Sequence, residues 1–588
     1  MRLPLALLLL TPVPVAQEAW RVRVESARPA EEAAAFEAAG HDVLEGGVEA
    51  AAFQLVVDAA ELARLRASGR SLRVLERGRP LADLAAADVG GLGGYPDLAA
   101  IEAEMDAVAA AHPQIARVVD LTATYGVSPT FEGRHLRALV VSDNVQQEED
   151  EPATLIVSAH HCREIVTPLI ALEAAHRLTD GYASDPAIQA LVDENEVWIA
   201  PLWNPDGYHH VFTANNLWRK NRRVFADGIG VDLNRNYPFG WDNACAGSSS
   251  ASNDTYKGPA PASEPESQTM LALAQDRNFA KLLDFHSFGE EVLWGYDCPS
   301  HPLDTWLQAQ AITLSFACGY GGDERPPSAD GEHYEWQLAG LGTFAFLVET
   351  EAVFQPPLAD ALAEAAQVWP GIRHHLERPI PVWGRVTDAC TGEPLAAAVD
   401  ISASLTYPNG EQHQSGGPFG RYHLFLPPGS GSARFHAPGY LEQTHSVDIV
   451  AGQSVQLDVA LTPALHTHLS GSFQIGTTIG FGFDAPSDAG APYLAALGLS
   501  GTSPGVPWGG CTFPLNLDAL ALLSLANQAP FSGFSGVLDG AGQASGALDV
   551  PSIASLVGQQ AHVAFLTFDP LSFDARHASE EAGFVFVP

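Results

Sequence analysis

An α/β core covered by helices on both faces, preceded by a small α+β unit and followed by β-sandwich domains, is the fold class this sequence predicts. Three observations carry it. Between about 90 and 375, apolar runs of strand length alternate with amphipathic helical stretches, the pattern of a sheet buried on two sides. Ahead of that region the same alternation recurs on a smaller scale, and from 380 onward the texture changes to short strands spaced by Gly and Pro. At 588 residues the chain is also too long for one ordinary domain.

Taken in order, residues 1–16 place one Arg before an apolar run and end in small residues, which predicts a short secretory signal and export from the cell. Residues 17–88 predict strand 20–25, a helix near 30–39, strand 53–57, a helix near 59–68 and strand 71–75. A Gly-rich hinge at 90–94 leads into the 90–375 core, which polar loops interrupt at 146–151 and 247–253. Residues 380–463 predict a β-sandwich with strands at 382–386, 422–426 and 455–461. The last stretch, 465–588, is rich in Gly, Ala, Ser and Pro and predicts a further β-domain of unassigned role.

Composition narrows the function. With 46% hydrophobic residues the chain can fill several cores. Its 70 acidic against 30 basic residues, a formal net charge of -40, repel nucleic-acid phosphates and anionic membranes, so no nucleic-acid partner is expected. Beyond the leader no run reaches the roughly 18 apolar residues that would span a bilayer, and a monomer is expected. Six cysteines allow a few disulfides, with Cys298 and Cys318 as the local pair; Cys162 reads as a small buried side chain, and Cys245, Cys390 and Cys511 are left unassigned.

The chemistry gathers at strand ends. The buried strand 153–159 runs straight into His160-His161-Cys162-Arg163-Glu164, and ligands in open α/β sheets bind beyond the carboxyl ends of strands. A lone H-x-x-E is weak. A second apolar run, 281–285, ends in His286-Ser287 and completes a set of two histidines and one carboxylate, which leaves a coordination position open for water as catalytic zinc requires. A third strand, 343–348, delivers Glu349, while 218–222 and 230–236 add cations and an amide.

Together these pieces resemble the zinc metallocarboxypeptidases of the carboxypeptidase A/B type, especially secreted bacterial members akin to carboxypeptidase T. The matching runs are 161–164, 204–208, 218–220, 230–236, 256–264, 286–287 and Glu349, in family order. The resemblance implies a mixed, mostly parallel eight-stranded sheet, one zinc ion held by His161, Glu164 and His286, and peptide or protein C-termini as substrate. It implies that Asp232 orients His161, that Glu349 is the general base, and that Arg219 stabilises the oxyanion. Asn234 and Arg235 would grip the terminal carboxylate, with Arg163 as an auxiliary contact. One departure stands out: the loop tyrosine of many family members is missing, the corresponding stretch reading Arg325-Pro-Pro-Ser-Ala-Asp330.

Tyr334 falls where the resemblance places the floor of the specificity pocket, and Asp297 is a second candidate for its wall, so neutral and basic preferences both stay open. Residues 17–88 are similar to the prosegments of secreted relatives, which implies a zymogen cut somewhere between Arg77 and Gly94; a permanent accessory domain is the alternative. Residues 380–463 are similar to the transthyretin-like, carboxypeptidase regulatory-like sandwich. Two rivals remain: an amidase or peptidoglycan-peptide hydrolase on the same scaffold, and an inactive binding protein. Retention of the ligand set and Glu349 speaks against the second.

Overall fold

The computed structural model describes residues 18–44, 47–296, 300–327, 329–389, 391–401, 412–508 and 511–588. The expected leader, Asp297, Cys298 and Cys390 lie outside them. Among the described residues, those up to Pro379 gather into one compact unit and those from Ile380 into a second, so the break falls where the sequence changes texture.

The first unit opens with a four-stranded antiparallel sheet of β1 (Ala19–Glu25), β2 (Asp42–Val43), β3 (Ala52–Asp58) and β4 (Leu72–Arg77), in the order β2-β3-β1-β4. Alternation along β1 turns Val22 and Val24 inward, where they meet Phe53, Leu55 and Val57 of β3 and Leu62 and Leu65 of the helix Ala59–Ala67. That helix starts where it does because the Asp58 carboxylate accepts the Glu61 N–H at 2.8 Å. The predicted small α+β unit is present, packed into the same compact unit as the core that follows it.

The core is an eight-stranded sheet. Its strands are β5 (Ala116–Asp120), β6 (Arg137–Val141), β7 (Ala153–Ser158), β8 (Glu196–Ala200), β9 (Lys281–Ser287), β10 (Glu291–Leu293), β11 (Glu324–Arg325) and β12 (Phe344–Thr350), ordered β11-β10-β12-β9-β7-β8-β6-β5. The middle four, β12, β9, β7 and β8, are parallel; β10 joins β12 antiparallel and pairs in parallel with the edge strand β11, while β6 and β5 continue the other side antiparallel. Every residue of β7, β9 and β12 is buried, which is why they read as apolar runs without alternation. Parallel pairing sets the carboxyl ends of these strands side by side, with Glu349 in register with His286.

In the second unit, Val382–Asp388 pairs with Arg421–Leu424 and with two short strands, Val455–Gln456 and Val459–Leu461, facing a sheet of Ala398–Ile401, Gly429–His436 and Gln443–Ile449. Residues from 465 build a four-stranded and a five-stranded sheet around Phe481, Phe483, Phe534 and Phe565, with a separate two-stranded pairing of Val506–Trp508 and Cys511–Phe513. The expected Cys298–Cys318 bridge is corrected: Cys318 is a free, buried thiol. A disulfide needs paired Cβ vectors, which sequence proximity alone does not supply. Cys245 is the disulfide-bonded cysteine among the described residues, and Cys162 is buried and free.

Candidate metal centre

The chain leaves β7 through Ala159, whose φ of 58° lies in the left-handed region that side chains disfavour. That turn swings His160 and His161 away from the sheet, both buried. Glu164 follows three residues later, ahead of the helix Thr167–Gly181. Across the strand ends, His286 comes up from β9.

Two imidazole nitrogens and one carboxylate converge here. His161 Nδ1 stands 2.9 Å from Glu164 Oε1, and His286 Nδ1 stands 3.1 Å from His161 Nδ1 and 3.2 Å from Glu164 Oε2. The three residues are buried and together could hold a metal ion. Two nitrogens and one carboxylate suit zinc, and three protein ligands leave the fourth position of a tetrahedron open.

Around them lies a shell of charge. Asp232 Oδ1 sits 3.0 Å from His161 Nε2, and its Oδ2 accepts the Arg219 Nε–H at 3.0 Å. Burial alone would raise the Asp232 carboxyl, but the Arg219 guanidinium and His161 outweigh it and hold the group well below the ordinary carboxylate range. The same pairing raises the pKa of Arg219. Asp232 also caps the short turn Leu233–Arg235, its Oδ1 accepting the Asn234 N–H at 3.0 Å, and so ties the orienting carboxylate to the next two predicted residues.

Asn234 and Arg235 line one cavity with His161, Arg163, Glu164, Arg219, His286 and Glu349. The structure thus brings together the predicted set with a single exception. Tyr334 is fully buried and does not line the cavity, whereas Glu332, two residues earlier, does. The reason is local: Glu332 caps the helix His333–Leu341 and faces the cleft, leaving Tyr334 in the first turn to pack inward.

Sequence reasoning missed three carboxylates. Glu332 Oε1 accepts Arg235 Nη1 at 2.7 Å, so the guanidinium expected to hold a substrate carboxylate is already engaged. Asp42, from β2 of the N-terminal sheet, accepts both Arg163 Nη1 and Nη2, the latter at 2.9 Å, and its Oδ1 lies 3.9 Å from Arg219 Nη1. Burial pushes the Asp42 carboxyl up, yet Arg163 and Arg219 prevail and leave it below its ordinary value. With Asp42, the residues Glu37, His41, Val43 and Leu44 of the N-terminal domain line the same cavity. The third, Asp284, precedes His286 by two on β9, a spacing that puts both on one face of the strand and was open to sequence reading.

Residues 101–337 match the zinc carboxypeptidase family, and 381–462 match the carboxypeptidase regulatory-like domain. Carboxypeptidase A2 of Mus musculus is 30% identical over 306 residues, covering 48% of this chain and 70% of that protein. A zinc carboxypeptidase of Saccharothrix mutabilis subsp. capreolus is 29% identical over 254 residues, covering 41% of this chain and 57% of that one. Among solved structures, carboxypeptidase A from Helicoverpa armigera superposes with a TM-score of 0.51 at 23% identity, over 61% of this chain and 97% of its own. That last likeness speaks for the fold.

Proposed function

This chain belongs to the zinc carboxypeptidase family of hydrolases, and from that premise we propose that it is an exported zymogen that removes residues from peptide C-termini. The carrying observation is the meeting of His161 Nδ1, His286 Nδ1 and the Glu164 carboxylate within 3.2 Å of one another, in a cavity that Glu349 and Arg219 share. A zinc ion at that point would supply Lewis acidity and bring the pKa of a bound water from 15.7 towards about 7.

The chain's own groups do the rest. Glu349, at the end of β12 and in register with His286, accepts a proton at its carboxylate and hands it to the departing amine. Arg219, fixed in orientation by Asp232, meets the negative charge that develops on the carbonyl oxygen. Arg235 and Asn234 receive the free α-carboxylate, two parallel N–H bonds being what a planar guanidinium offers and what an internal peptide bond cannot use. Glu332 competes for that guanidinium through Nη1.

The N-terminal domain supports the zymogen reading. Asp42 presents a carboxylate to Arg163 and approaches Arg219, which is the position a substrate's own charge would contest. Arg77 and Arg79 lie on the segment that leads into the Gly-rich hinge, as a cut by a basic-specific protease would need.

The test is a digest of a peptide library followed by mass spectrometry, run on the intact chain and on protein nicked between 77 and 94. Stepwise loss from the C-terminus that accelerates after nicking is the expected result. Cuts at internal bonds, or no loss from either sample, would remove the carboxypeptidase reading. Equal rates before and after nicking would remove the inhibitory one alone.

A further inference from the structure

His161 has a carboxylate on the ring nitrogen that faces away from the metal position, and so does His286. Asp284 Oδ1 lies 3.2 Å from His286 Nε2, as Asp232 Oδ1 lies 3.0 Å from His161 Nε2. In both rings Nδ1 is left pointing at the shared point. We propose that Asp284 is a positioning residue of the metal centre, holding His286 in the tautomer that keeps the proton on Nε2 and frees Nδ1 for zinc.

The surroundings of Asp284 argue that it is there for this purpose. It occupies the middle of β9, in register with Val157 of β7 on one side and Leu347 of β12 on the other, and has no exposed surface. A carboxylate at such a place is costly unless it is paired. Its partners are all imidazoles. Oδ2 contacts His333 Nδ1 at 2.7 Å, while Oδ1 lies 3.2 Å from His160 Nδ1 as well as from His286 Nε2.

The tautomers around it follow from the network. His333 Nε2 accepts from Gln337 Nε2 at 2.7 Å, so its proton is on Nδ1 and goes to Asp284 Oδ2. His160 Nε2 meets the Tyr237 hydroxyl at 3.0 Å and its ring stacks on that of His286, with 5.7 Å between centroids and 14° between planes. His160 Nδ1, Asp284 Oδ1 and His286 Nε2 are buried and have no well-aligned hydrogen-bond partner among the described residues, so the 3.2 Å approaches of both rings to Oδ1 are close charge pairings. Within this cluster each has only the others to answer it. Orienting carboxylates of this kind fix ring geometry and raise ligand basicity, and their loss typically weakens metal binding 10–100-fold.

The inference rests on His161, Glu164 and His286 being the zinc ligands, and the test separates the two claims. Full-length wild type, Asp284→Asn and Asp284→Ser are compared by zinc content, by zinc affinity in competition with a chromophoric chelator, and by the absorption of the cobalt(II)-loaded protein. The Ser variant covers the case in which Asn fails to fold, since it retains a small acceptor without the charge. Circular dichroism and thermal midpoints of the metal-free proteins check the fold.

One zinc per wild-type chain, a roughly 10–100-fold loss of affinity in the variants and an altered cobalt spectrum on an intact fold are expected. Folded variants that bind zinc within about threefold of wild type with an unchanged cobalt spectrum overturn the role of Asp284 and leave the ligand set standing. A wild type that binds no zinc overturns both. Two zinc ions per wild-type chain, one of them lost in His160→Ala, would make His160, Asp284 and His286 a second metal site and likewise overturn the positioning role.

Discussion

The candidate metal centre of the first unit and a buried histidine of the second are built from the same parts and arrive at opposite ends. In the second unit, His577 is enclosed between two aspartates, its Nδ1 2.8 Å from Asp488 and its Nε2 2.6 Å from Asp388. Tyr440 and Thr567 add hydroxyl donors to Asp388 and Asp488 respectively. Burial alone would lower the pKa of His577, but the two carboxylates raise it to about 9, so the ring is a cation held in place. Both of its nitrogens are spent. His161 and His286 each give one nitrogen to a carboxylate and keep the other for a common point. What separates a ligand from a structural ion pair is therefore the spare nitrogen, since burial and acidic neighbours are common to the two.

Substitutions can break that contrast at several depths. Glu349→Gln should leave the metal in place and remove turnover by about 10³-fold or more, in steady-state kinetics on a C-terminal peptide substrate after nicking. Arg219→Ala should cost on the order of 10²–10³ in kcat, the usual toll for one donor to a developing oxyanion. Wild-type kcat in that variant would remove its assigned role. His577→Ala should leave turnover unchanged and destabilise the second unit by on the order of 3 kcal/mol, because two buried carboxylates lose their cation. Calorimetry reads this, and a fall in activity equal to that of a ligand variant would erase the distinction between the two clusters.

A milder probe is pH. The folded pKa of His577, about 9, lies above the ordinary value of about 6.5, so the stabilisation is complete below about pH 6.5 and is lost as pH climbs through 9. The unfolding midpoint of the second unit should accordingly decline between pH 7 and 10 in the wild type, and do so less in His577→Ala. A parallel decline in the two proteins would show that another group carries it.

Much of the site was legible because its parts are local. His161 and Glu164 share one turn, and His286 and Glu349 each end an apolar strand, so strand periodicity and the open-sheet rule place them together before any coordinate is known. Asp284 obeyed the same period of two and was readable, though a carboxylate inside an apolar run drew no notice. Asp42 was not readable. Its partner Arg163 is 121 residues away, and the pairing exists only because the N-terminal sheet packs over the strand ends. Tyr334, expected at the pocket floor, is buried off the cavity because Glu332 caps the helix His333–Leu341 and takes the cleft-facing position, a matter of local capping that the resemblance does not carry. Cys318 was misassigned for a related reason: pairing of thiols is a matter of geometry between elements.

Zinc content of the purified full-length chain, measured beside His286→Ala and His577→Ala, tests the central claim most directly. One equivalent in the wild type, none in His286→Ala and one in His577→Ala is the predicted pattern. A His286→Ala protein that keeps its zinc, or a His577→Ala protein that loses it, would contradict the account.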